Sequence, residues 1–73
     1  MTIQPNDHFR HYKRGTEYRV LCLGTLEATE TPCVVYQSLA DEHIWIRPVA
    51  NFIEEVEFDG RLVPRFSRIS EGE

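Results

Sequence analysis

Seventy-three residues, 41% hydrophobic and 27% charged, describe one small soluble domain and leave no room for a second. A chain this short buries only about 60% of the surface its unfolded form exposes, which excludes a spacious enclosed active site and points to a shallow surface groove. Eight basic against twelve acidic residues leave a net charge of -4, and that bulk field excludes global attraction to duplex nucleic acid.

In chain order, residues 1–7 are polar, carry Pro5 and show no periodicity, so they are expected to be a flexible arm. His8 to Gly15 is short, aromatic and basic, and ends in a glycine that can turn the chain. Glu17 to Glu27 contains Tyr18-Arg19-Val20-Leu21-Cys22-Leu23, a run of strand formers predicting a long strand with a bend at Gly24. A second strand is predicted over Cys33 to Leu39. After the polar turn Ala40 to Glu42 comes a third, His43 to Arg47, where Ile44 and Ile46 share one face and His43, Trp45 and Arg47 the other. The isoleucines are expected to face the core and the Trp45 face to be the working surface.

Pro48 ends that strand, and Val49 to Ile53 is long enough for one helical turn anchored by Phe52. Val56 to Phe58 and Arg61 to Val63 flank Asp59-Gly60, a pair that accepts the positive φ angles of a type I′ hairpin turn. Residues 68–73 are expected to be a frayed tail. Five short strands and one helical turn predict an all-β fold, a small SH3-like barrel, as a single domain over residues 8–67.

The ordered series His11-Tyr12-Lys13-Arg14-Gly15, Tyr18-Arg19-Val20-Leu21, Val34-Val35-Tyr36-Gln37, Trp45-Ile46-Arg47-Pro48 and Pro64-Arg65-Phe66 resembles a family of small bacterial proteins, domain of unknown function sixteen fifty-three. The resemblance runs from His11 to Phe66. That family has no established activity, so the resemblance implies no mechanism.

Chemistry must therefore be read from the residues. Pairing of the second and third strands brings Tyr36 or Gln37 opposite Trp45 or Arg47, so that Tyr12, Tyr36, Gln37, Trp45 and Arg47 form a candidate ligand-binding groove. A tryptophan there offers a flat surface for a base, a proline or a methylated cation, and arginine a planar donor fork. The competing structural reading has Trp45 capping the barrel and Arg47 paired with an acidic residue of the last hairpin. His11 and Lys13 are candidate anion contacts.

Glu54, Glu55, Glu57 and Asp59 read as a solvated hairpin edge. Cys22 and Cys33 read as buried free thiols, with a disulfide as the alternative. With His8 and His11 they supply zinc-ligand types but lack the usual close cysteine pairs, so no metal is assigned. No cofactor motif, phosphate-cradling glycine loop or catalytic residue is identified.

The sequence thus predicts a cytoplasmic binding module for an unidentified ligand or protein, off the membrane and a monomer or weak dimer. Single-stranded RNA or nucleotide binding, assisted by Arg10, Lys13 and Arg14, is the alternative. A small enzyme or accessory domain using His11 and Lys13 as acid and base ranks last.

Overall fold

The computed structural model describes residues 2–69. Its elements are β1 (His8–His11), β2 (Glu17–Leu26), β3 (Thr31–Ser38), β4 (Ile44–Pro48), α1 (Val49–Phe52), β5 (Glu55–Phe58), β6 (Arg61–Pro64) and β7 (Phe66–Arg68). The strand formers expected to dominate do so: β2 and β3 make the longest antiparallel pair, and the main sheet runs β4-β3-β2-β1-β7. β5 and β6 form a separate hairpin whose turn residues Asp59 and Gly60 have φ of 55° and 78°, the type I′ signature. The fold is all-β and barrel-like, with one helical turn, as the sequence predicts.

Two of the seven strands, β1 and β7, were not foreseen. They span four and three residues and place Phe9 and Phe66 inward, and one apolar residue in so short a run leaves no readable period. The bend in β2 also differs from expectation. Gly24 pairs in register with Cys33, and the register shifts instead between Val20 and Cys22, making Leu21 the extra residue of a bulge.

The core is aromatic. Phe9, Tyr18, Tyr36, Phe52 and Phe66 are buried with Ile3, Val20 and Val34. Phe52 stacks on Phe66 at 4.2 Å and meets Phe9 edge-on at 5.1 Å, geometries that add to simple area burial. Helix α1 is only one turn, and this buried ring fixes it to the sheet.

Ile44 and Ile46 do not enter this core; they are 53% and 68% exposed. The register explains why: Tyr36 pairs with Trp45 and Val34 with Arg47, so the inward face of β3 continues into Trp45 and Arg47, and the isoleucines fall on the outer face. Cys22 is likewise exposed, whereas Cys33 is buried, and both are free thiols.

The first residues are tied to the sheet. Ile3 is buried, the Asn6 N–H donates to the Val20 carbonyl at 2.8 Å, and the Val20 N–H donates to the Asp7 carbonyl at 2.9 Å. At the other end Ser67 and Arg68 pair with β1, and the Ile69 N–H donates to the His8 carbonyl. Residues 70–73 of the expected tail lie outside the described residues.

Candidate functional site

The two edge strands of the main sheet, β4 and β7, curl toward each other without pairing. The Arg47 guanidinium of β4 lies 5.6 Å from the centre of the Phe66 ring of β7. At this seam the barrel opens into a cleft of about 510 Å³. Its apolar lining is Tyr18, Tyr36, Trp45 and Phe66, and its cationic or ionisable lining is His11, Lys13, Arg14 and Arg47. No carboxylate lines it. In a chain of net charge -4, this is a local reversal of sign.

Arg47 is held in place by neutral groups. Its Nε donates to the Tyr36 phenol oxygen at 3.2 Å, and Nη1 donates to the Asn51 side-chain oxygen. Among the described residues it has no acidic partner, so its charge is not neutralised within the fold. Because the Tyr36 oxygen accepts from Arg47, its own O–H is left to donate. The expected alternative, an ion pair between Arg47 and the acidic hairpin, is not formed. Arg65 takes that role, with Nη2 2.9 Å from Glu54 and Nε donating to the Asn51 carbonyl at 3.2 Å.

The β1–β2 turn supplies the remaining cations. It closes through the Gly15 N–H donating to the His11 carbonyl at 3.0 Å, with Gly15 at φ 73°, a conformation that costs glycine nothing. His11 shapes it from inside: Nδ1 accepts from the backbone N–H of Lys13 at 3.2 Å and of Arg14 at 3.4 Å. An Nδ1 that accepts carries no proton, so the imidazole is neutral with its hydrogen on Nε2. Burial first, and then the charges of Arg14, Arg47, Arg65 and Lys13, hold its pKa below the ordinary histidine value. His11 therefore acts as a neutral donor and a brace for the turn that presents Lys13 and Arg14.

Five of the seven residues singled out from sequence meet in this cleft: His11, Lys13, Tyr36, Trp45 and Arg47. Two do not. Gln37 lies on the opposite face of β3, paired with Ile44, and its amide donates to the Glu42 carbonyl at 3.1 Å, bracing the β3–β4 turn. Tyr12 packs edge-on against Phe58 at 5.5 Å and lines a neighbouring cleft instead. Trp45 is 46% exposed and outside the core cluster, which places it in the groove rather than in the barrel interior. The His43 ring lies against it at a tilt of 44°, with ring centres 4.2 Å apart.

Tyr18, Phe66 and Asn51 were missed, and Arg14, which also lines the cleft, was named only for the nucleic-acid alternative. Tyr18 was legible as an inward strand position, but Asn51 gave no sequence signal, because its role depends on α1 sitting beneath Arg47. His8, His11, Cys22 and Cys33 do not assemble: among the described residues no three histidine, cysteine or acidic side chains converge on one point. No helix among them is long and apolar enough to cross a membrane.

Comparison with known proteins fixes the family. The model of a protein of unknown function, DUF1653, matches residues 7–68. The chain belongs to the DUF1653 family. It is similar to the crystal structure of a DUF1653 protein from Bordetella bronchiseptica, with a TM-score of 0.80, 27% identity, and coverage of 97% of this chain and 92% of that one. No curated protein is similar enough to match. For this DUF1653 domain, function must be argued from the cleft itself.

Proposed function

We propose that this domain is a cytoplasmic binding module whose Trp45 cleft takes a flat ligand carrying a negative charge, a nucleotide being the simplest example. The observation that supports this reading is the meeting of Lys13, Arg14 and Arg47 with four aromatic rings where no carboxylate balances the charge. Trp45 supplies the stacking plane; Arg47, Tyr36 and the His11 Nε2 supply donors. Holding Arg47 in advance through Tyr36 and Asn51 reduces the ordering cost of binding. The unpaired thiols Cys22 and Cys33 suit a reducing compartment.

Charge discriminates among the ligands an exposed tryptophan suits. A unit charge about 4 Å from another interacts by roughly 1 kcal/mol in bulk water and about 4 kcal/mol at the effective dielectric of a protein surface. That term favours an anion and opposes a methylated cation by the same amount. A peptide would have to present an acidic or phosphorylated side chain to gain it.

Titrating isotopically labelled protein with uridine 5′-monophosphate, uridine and trimethyl-lysine tests the proposal by amide shift mapping. The monophosphate is expected to move the signals of Tyr36, Trp45 and Phe66 and to bind at least ~10-fold more tightly than uridine, a difference of about 1.4 kcal/mol. Equal binding of trimethyl-lysine would overturn it.

A further inference from the structure

A second open cleft, of about 420 Å³, adjoins the first. Its flat surfaces are Tyr12 and Phe58, ring centres 5.5 Å apart, and Phe58 is 41% exposed. Val63 and Pro64 of β6 add apolar wall, and Ser67 of β7 a hydroxyl. The two clefts share His11, Lys13 and Arg14, so the β1–β2 turn is the wall between them. Lys13 and Arg14 have no ion-pair partner among the described residues; Arg10, which also lines the second cleft, is paired with Glu17 at 3.0 Å. No carboxylate lines either cleft. The order across this surface is aromatic cleft, unbalanced cations, aromatic cleft.

We infer that the ligand is a single-stranded nucleic-acid segment of at least two nucleotides, with one base in the Trp45 cleft, the next against Tyr12 and Phe58, and the linking phosphate on Lys13 and Arg14. This rests on the function proposed above and extends it. A base, a phosphate and a base repeat the order of the surface, and stacking on aromatic side chains beside a basic track is how single strands are held without sequence preference. A phosphorylated peptide has one anion and no flat group fixed on each side of it, so it would leave one cleft unused. The acidic total charge repels a duplex at long range but leaves a short segment free to use the local cations.

The experiment compares uridine 5′-monophosphate with the dinucleotide uridylyl-uridine and its thymidine counterpart, each titrated into labelled protein. The monophosphate carries more charge than either dinucleotide, so tighter dinucleotide binding cannot come from charge alone. The expected result is at least ~10-fold tighter binding of a dinucleotide, with shifts reaching Tyr12, Phe58 and Ser67 that the monophosphate does not produce. Whichever dinucleotide binds more tightly tells RNA from DNA. Phe58→Leu is expected to reduce dinucleotide affinity to the monophosphate level and leave monophosphate binding unchanged. Affinity for the dinucleotide should fall with salt with a log–log slope of about -0.7, the value for one contacted phosphate on a single strand.

A dinucleotide that binds no more tightly than the monophosphate and leaves Phe58 and Ser67 unmoved overturns the inference while the Trp45-cleft reading stands. Failure of all three nucleotides to bind overturns both. Tighter binding of a phosphotyrosine peptide than of either dinucleotide overturns the nucleic-acid assignment alone.

Discussion

The Trp45 cleft and the β5–β6 hairpin lie on either side of Asn51 and treat charge in opposite ways. On the hairpin side Arg65 meets Glu54 at 2.9 Å, and the Asn51 carbonyl accepts from its Nε. On the cleft side Arg47 meets only neutral acceptors, the Tyr36 phenol and the Asn51 side chain. The same residue type thus serves as a structural tie when a carboxylate is supplied and as a half-buried, unneutralised cationic fork when it is withheld. The contrast leaves an unbalanced cation on the cleft side and ties the hairpin side through an ion pair.

The most damaging change to both regions is Phe52→Ala, because Phe52 anchors α1 and with it Asn51. Loss of a fully buried phenylalanine costs about 3–5 kcal/mol, comparable to the whole stability of many small domains. Urea unfolding should find this variant largely unfolded before denaturant is added, with cleft and hairpin lost together. Retention of a native-like unfolding transition would show that α1 does not join the two regions.

Asn51→Asp alters the contrast itself by supplying the missing carboxylate beside Arg47. Uridine monophosphate affinity should fall about 10-fold, or ~1.4 kcal/mol, with stability changed by less than about 1 kcal/mol. Arg65→Ala should do the reverse. It removes an ion pair whose carboxylate partner is half exposed, along with one bond to backbone, so a stability loss of about 1 kcal/mol is expected in calorimetry. Nucleotide affinity should change less than about 3-fold.

The smallest expected effect concerns His11. Its folded-state pKa is lowered, so between that value and the unfolded one near 6.5 the unfolded chain holds the extra proton. Its contribution to stability is therefore full above about pH 6.5 and is lost as pH falls through that window. Unfolding midpoints measured from pH 8 to 5 should show this slope, and His11→Gln should flatten it. An unchanged slope in the variant would assign the dependence to other groups.

Much of this was legible in the sequence, and the exceptions have physical causes. Asp59-Gly60 announced its turn because few residues tolerate two successive positive φ angles. Alternation correctly grouped Trp45 with Arg47 and Ile44 with Ile46. It misassigned which pair faces in, because hydrophobicity ranks isoleucine first, whereas on edge strand β4 the inward face meets the open mouth of the barrel. There the arginine stem and the indole fit, and the isoleucines serve as strand formers on the outer face. Gln37 was misplaced because it directly follows Tyr36 in β3, and successive strand residues face opposite sides of the sheet, a constraint the grouping of both in one groove overlooked. Asn51 and Phe66 were invisible as site residues, since each acts through a contact between elements distant in the chain.

Trp45 is the chain's single tryptophan, so its fluorescence reports the cleft without a label. Titration with uridine 5′-monophosphate should quench it saturably, more weakly as salt rises. Arg47→Ala should lower the affinity at least ~10-fold while preserving the near-ultraviolet circular dichroism of the folded domain. An affinity unchanged by Arg47→Ala, or no response of Trp45 to millimolar nucleotide, would contradict the claim that this uncompensated cleft is the binding site.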